Sequence, residues 1–248
     1  MLVTDYSKIA QRYDSNRLRH EIPVDENIAR LLGERGRIRV LDLACGTGNY
    51  LERQEASYGD AAVEWLGLDK SPDMLAVARA KGLRAELIEG DVQALPFAED
   101  SFDYVKLRFA FHHFENKPRA VAEIARVLKS GGELSIFSLA HDYAKDWWPY
   151  RYFPSAPTID AERFMGSLAV YELLERHGFE TRARIDVRIE RFSLVELVDQ
   201  TRLRDMSQLN LIREEEYRSG LEKLREDAGK SEYLIGDIAF LDCLARKR

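Results

Sequence analysis

Three carboxylates and a run of glycines in the first part of the chain are the residues best placed to do chemistry. Asp42-Leu43-Ala44-Cys45-Gly46-Thr47-Gly48 follows an apolar run from Ile38 and precedes a helical pattern from Asn49. Glycines let backbone approach a ligand and adopt angles closed to other residues, and the helix start behind them offers unpaired N–H groups. About 20 residues beyond Gly48 comes Asp69, where a strand–helix–strand unit places an acid to hold the two hydroxyls of an adenosine ribose. A third strand ends in Glu89-Gly90-Asp91-Val92, so another acid falls at the same sheet edge. A dinucleotide site expects a further glycine or alanine three positions after Gly48, and Leu51 stands there. A pyrophosphate would also sit badly against Asp42, whereas a sulfonium or ammonium would sit well. These residues imply an adenosine with a cationic tail and disfavour an NAD-dependent oxidoreductase.

The elements that must carry these residues alternate. Ile38 to Leu43, Val63 to Leu68, Ala85 to Glu89, Phe102 to Arg108 and Glu133 to Leu139 read as strands, the last entered through a Gly131-Gly132 turn. Helices are expected from Asn49, from Ser71 to about Lys81, and from Lys117 to Leu128. In the second of these Ser71 caps, Pro72 suits the first position and Gly82 ends the element. Such alternation gives parallel strands covered on both faces. After Leu139 the pattern changes. Residues 140–165 read as a loop or cap and Ser167 to His177 as a helix. Thr181 to Phe192 and Tyr233 to Leu244 read as strands, joined by a helical stretch of about Leu194 to Glu226. The expected fold is therefore α/β and doubly wound, with a mostly parallel seven-stranded sheet, an antiparallel edge hairpin and a small helical cap.

Composition narrows the function classes. The 248 residues suit one domain, and the net charge of −6 speaks against nucleic acid as a partner. The two cysteines, Cys45 and Cys243, are far apart with no histidine cluster, so neither a disulfide framework nor a metal site is expected. Met1 to Tyr6 lacks a basic stretch followed by an apolar run, and no run approaches the ~18 apolar residues that span a bilayer. A cytoplasmic location without membrane contact is the expectation.

The chain resembles the class I S-adenosylmethionine-dependent methyltransferases, and within them the group that includes the ubiquinone/menaquinone C-methyltransferases and many small-molecule methyltransferases. The stretches that carry the resemblance are VLDLACGTGNY (40–50), LGLDKSPDML (66–75), EGDVQALPFAEDSFDYV (89–105), FHHF (111–114) and ARVLKSGGELSIF (125–137), with Tyr6, Ala10, Tyr13 and Asp14 fitting the amino-terminal pattern. The resemblance implies a single domain over 1–248, with a helical lid at 1–30, a cofactor-binding core at 38–139 and acceptor-side caps at 140–165 and 194–230. It implies that Gly46, Thr47 and Gly48, with Ala44 in the same turn, lie beside the methionine part of S-adenosylmethionine, and that Asp42 faces its amino group. Asp69 would hold the ribose, Lys70 and Met74 would flank the adenine, and Asp91 and the Val92 N–H would meet its edge. Arg108 would offer its backbone to the methionine end, and Tyr13 would close over the sulfonium.

Methyl transfer from a sulfonium is an in-line displacement that depends chiefly on alignment; a base is needed only if the nucleophile must lose a proton. His113 and His112, following the fourth strand, are the candidate catalytic residues, against a purely structural role; His141 and Asp142 are a second pair. The aromatic segment from Tyr143 to Phe153 reads equally as a wall for a planar acceptor or as rings packed onto the sheet, and Arg151 within it reads better as a solvated arginine than as an anion contact. The function expected is methyl transfer to a small-molecule acceptor, releasing S-adenosylhomocysteine. The alternative is a non-catalytic protein that binds the cofactor or its product and acts through a partner. A homodimer stays open.

Overall fold

Short aliphatic runs bounded by turn residues become strands. The computed structural model, which describes residues 10–14, 21–59, 62–204 and 206–248, joins seven of them in one sheet. β1 (Ile38–Leu43), β2 (Val63–Asp69), β3 (Glu86–Glu89), β4 (Phe102–Arg108), β5 (Leu128–Leu139), β6 (Phe179–Ser193) and β7 (Tyr233–Lys247) lie in the order β3-β2-β1-β4-β5-β7-β6. β1 to β5 pair in parallel, and β7 runs antiparallel between β5 and β6. The order reverses between β1 and β4, and a crevice opens beyond the carboxyl ends of strands at such a point. The turn after β1 therefore stands where a ligand would enter.

Helices cover both faces, as parallel strands require. On one side α2 (Glu26–Arg35), α3 (Asn49–Tyr58) and α4 (Pro72–Ala80) help bury Ile28, Leu31, Val40, Leu51, Leu75 and Tyr104. The larger core on the other side includes Val121 and Ile124 of α5 (Lys117–Val127) and Leu174 of α8 (Ser167–Arg176). Local chemistry sets the helix starts. Ser71 accepts from the Met74 N–H at 3.3 Å with Pro72 opening α4, Asn116 accepts from the Arg119 N–H at 3.0 Å at the head of α5, and Asp25 caps α2. A short helix α1 (Ala10–Tyr13) packs Ala10 and Tyr13 against Met74 and Val77 of α4. Of the expected lid at 1–30, residues 1–9, with Tyr6, and 15–20 lie outside the described residues.

The fold class is the one expected, with differences in detail. β5 begins at Leu128 rather than Glu133, because Leu128 pairs with Phe102 before the register shifts around Gly131 and Gly132. Residues 140–165, read from the sequence as a loop or cap, hold two helices, α6 (Trp148–Tyr152) and α7 (Ala156–Arg163). Both are too short for a periodic signal, but Pro149 and Pro157 stand in their first turns, where proline is tolerated. The stretch after β6 divides into α9 (Leu194–Leu203), a 3-10 turn at Ser207–Asn210, and α10 (Glu214–Ala228). The rings of Trp147, Trp148, Tyr152 and Phe153 are buried in the large core, so this segment packs and does not form an open aromatic wall. Arg151 accordingly points away, its Nε donating to Asp146 at 2.6 Å.

Gly220 shows how tightly the cap is joined. A Cβ there would come within 2.3 Å of the Phe153 ring and 2.5 Å of the Tyr152 carbonyl oxygen. Helix propensity alone makes Gly220→Ala stabilising by about 1 kcal/mol. Overpacking costs about 1–3 kcal/mol and here meets backbone that cannot move aside, so the expected outcome is a net loss of stability by chemical denaturation. A gain would show that α10 does not seat against α6 in this way.

Candidate functional site

The turn after β1 is left-handed at every second residue: Ala44, Gly46 and Gly48 have φ of 57°, 55° and 76°. Ala44 pays roughly 1–2 kcal/mol for a conformation that glycine takes freely. At Gly48 there is also no room, since a Cβ would sit 2.8 Å from Leu83 and 3.2 Å from Ala78. Asp69 braces the turn from β2. Its Oδ2 accepts from the Gly46 N–H at 2.7 Å and its Oδ1 from the Ser71 N–H at 2.8 Å. Burial pushes the Asp69 carboxyl up and these N–H groups only partly offset it. Asp69 thus ties the ends of two strands and the start of α4 together.

Asp42 lies one strand over. Only 3% of it is exposed, and its Oδ2 has no hydrogen-bond partner among the described residues. Burial raises its carboxyl to about 8, against the pull of Lys106 and with a further push from Asp69. A buried acid without a partner is costly, and a cation placed beside it recovers that cost. The site therefore fits the ammonium of an S-adenosylmethionine methionine tail, and it fits an anionic pyrophosphate badly.

The other expected cofactor residues surround this edge. Thr47 is buried and donates to Asp14 at 2.6 Å. Met74 is buried under α1, and Tyr13 packs beside it. Asp91 accepts from the Gln93 N–H at 2.8 Å, which holds its carboxyl below the ordinary range, with Lys70 at 3.5 Å adding to the effect. Val92 is buried next to it. Arg108 ends β4 with its guanidinium over the rings of Phe109 and Phe137, and Phe109 itself is left-handed at φ 51°.

The candidate histidines lie in the 3-10 turn Phe111–His113 that follows β4. Their rings lie 3.9 Å apart, and His112 stacks on Phe164 at 4.0 Å. Burial, with Arg163 and Lys117 nearby, pushes His113 down to about 3 and His112 well below its usual value. Both rings are neutral at physiological pH. His141 is also pushed down by burial, while Asp142 accepts from the N–H and hydroxyl of Ser167, each at 2.9 Å.

Two groups escaped the sequence reading. Asp14 ties α1 to the turn by accepting from Thr47 and from Asn49 at 2.9 Å and pairing with Lys81 at 2.9 Å. Beneath Asp42 lies a polar cluster: Asp25 Oδ2 accepts from the hydroxyls of Tyr50 and Tyr104, each at 2.8 Å, with Lys106 Nζ at 3.4 Å. Burial works to raise Asp25, but Lys106 and the two hydroxyls outweigh it and hold the carboxyl low. Asp14 stood in the amino-terminal pattern without a role. Nothing in the spacing of 25, 50, 104 and 106 marks them as neighbours.

Comparison with known proteins fits this geometry. Residues 41–136 match a family model described as a methyltransferase domain. A demethylmenaquinone methyltransferase of Thermus thermophilus is 39% identical over 140 residues, covering 53% of this chain and 62% of the relative. The chain is thus similar to the class I S-adenosylmethionine-dependent methyltransferases. A demethylmenaquinone methyltransferase of Thermotoga maritima is 29% identical over 201 residues, 71% of this chain and 86% of that one. The chain thus spans less than two thirds of the Thermus relative's length and most of the Thermotoga one's. The crystal structure of a SAM-dependent methyltransferase from Aquifex aeolicus superposes with a TM-score of 0.58 at 19% identity, over 97% of this chain and 98% of that one, and shares the fold.

Asp69 now has a structural duty that any binding test must separate. Asp69→Asn turns an amide N–H toward a backbone N–H, so the ligand-free protein should lose about 1–3 kcal/mol. Asp91→Asn, at the more exposed site, should stay within about 0.5 kcal/mol of wild type. Denaturant titration of both variants checks this. Equal stabilities would mean that Asp69 does not brace the turn.

Proposed function

We propose that the protein transfers a methyl group from S-adenosylmethionine to a small-molecule acceptor. The observation that carries this reading is the buried Asp42 carboxyl, whose Oδ2 has no hydrogen-bond partner among the described residues, beside a left-handed turn at the reversal of strand order. The cofactor supplies a methyl group that is already activated, so the protein's work is placement and exclusion of water, and placement can supply about 7–11 kcal/mol. In this reading Asp42 meets the ammonium, with Ala44, Gly46, Thr47 and Gly48 alongside. Asp69 keeps lone pairs for the ribose hydroxyls, since a carboxylate accepts up to about four bonds. Asp91 and the Val92 N–H face the adenine edge, with Lys70 and Met74 flanking it. Tyr13 and Arg108 close the methionine end.

The acceptor side is formed by residues 140–165 and 194–230, with His112 and His113 below. The names of the relatives make a demethylmenaquinone-like acceptor the first to test. Methyl transfer from labelled S-adenosylmethionine to such a compound, or to a metabolite extract, is the expected result. Failure of S-adenosylhomocysteine to bind the wild-type protein in calorimetry would overturn the whole reading, and binding without transfer would leave a cofactor-binding protein.

The state of Asp42 gives a sharper test. Below about pH 8 the free carboxyl holds a proton, which it must release to meet a cation. Binding lowers its pKa, so affinity for S-adenosylhomocysteine should rise with pH, by up to about tenfold per unit between roughly pH 6 and 8. Asp42→Asn should bind about 10- to 100-fold more weakly, from the loss of a charged hydrogen bond, and with a flat pH profile over that range. Calorimetry in buffers of different ionisation heat would count the proton released. A profile unchanged by the substitution would remove Asp42 from the site.

A further inference from the structure

The turn Phe111–His113 meets α7 in a buried charged cluster that the cofactor reading does not use. The Arg163 side chain is 1% exposed, with one terminal nitrogen 3.8 Å from Asp160 Oδ1. Its other terminal nitrogen lies 3.4 Å from Nδ1 of His113. Asp160 accepts from the Tyr150 hydroxyl at 3.1 Å. A guanidinium carries donors only and stays charged. The imidazole nitrogen it meets must therefore be the bare acceptor, which leaves the ring's single proton on Nε2. A proton on Nδ1 would set N–H against N–H and place a second positive charge beside Arg163. Lys117 of α5 adds to the same field, His112 contributes the neighbouring ring, and Asp160 is the acid of the cluster.

We propose that Arg163 is a positioning residue that holds His113 as the neutral Nε2–H tautomer, so that His113 gives the acceptor a hydrogen bond and takes no proton from it. The part that concerns the acceptor rests on the methyl-transfer reading; the tautomer does not. An N–H donor backed by a buried guanidinium stabilises electron density on oxygen. The acceptors it suits carry a carbonyl, phenolate or enolate oxygen next to the methylated atom. Any proton such an acceptor loses goes to solvent or to another group before methyl transfer. Cationic amines suit this corner poorly.

Side-chain nitrogen NMR of the labelled protein tests this directly. The chain has five histidines, and the signals of His113 are identified by their disappearance in His113→Gln. The expected result is a protonated Nε2 and a bare Nδ1, unchanged between about pH 5 and 8. A protonated Nδ1, or a titration of His113 within that range, would overturn the proposal. In folded Arg163→Met burial still keeps the ring neutral, but both tautomers should be populated, while Arg163→Lys, which restores a charged donor, should recover much of the wild-type pattern. An unchanged tautomer in folded Arg163→Met would remove Arg163 from the role. If that variant does not fold, the wild-type spectrum still decides the tautomer and Arg163→Lys the contribution of the fork. None of these measurements needs cofactor or acceptor, so a wrong tautomer leaves methyl transfer standing. Absent S-adenosylhomocysteine binding would overturn methyl transfer and leave the tautomer intact.

Discussion

The carboxylate of Asp69 reaches from the end of β2 to the backbone N–H of Gly46 in the turn after β1, and the candidate site depends on that bond. Its second oxygen holds the Ser71 N–H at the head of α4, and its own carbonyl accepts from Gly90 beyond β3. Three strand ends are thereby locked at one edge. The turn can then afford left-handed residues at 44, 46 and 48, because its strain is held by bonds from outside it. With that edge fixed, Asp42 cannot swing toward solvent and remains a buried acid without a hydrogen-bond partner among the described residues.

The opposing charges around Asp42 are arranged by the sheet. Asp42 is in register with Lys106 on the neighbouring strand, yet Lys106 is occupied by Ser135 at 2.9 Å and by Asp25. Lys106 and the tyrosines of that cluster keep Asp25 ionised, and Asp25 in turn engages the lysine. Asp42 therefore receives the lysine's field without its hydrogen bond, and desolvation wins. A cation arriving from the crevice meets an acid whose nearest positive partner is already engaged.

The cluster at the histidines has the reverse polarity. Burial keeps the two imidazoles neutral, and Arg163 and Lys117 add to the effect. The strand-end acid thus favours a cation, whereas the cluster at the histidines carries a buried positive charge.

The local sequence settled much of this. Runs such as Ile38–Leu43 and Phe102–Arg108 are apolar because both of their faces are covered, so their ends could be read to the residue, and the acids at those ends with them. Ser71-Pro72 and Asn116 set helix starts through bonds that span three residues. The helices of 140–165 could not be read, because one or two turns are too short for a period and their aromatic residues owe their positions to the core. The tertiary structure alone decided which polar groups meet across long separations: Asp25 with Tyr104 and Lys106, Asp14 with Lys81, Arg163 with His113. It also decided how Asp42 and the histidines are charged, since desolvation depends on everything packed around a group and no spacing along the chain records it.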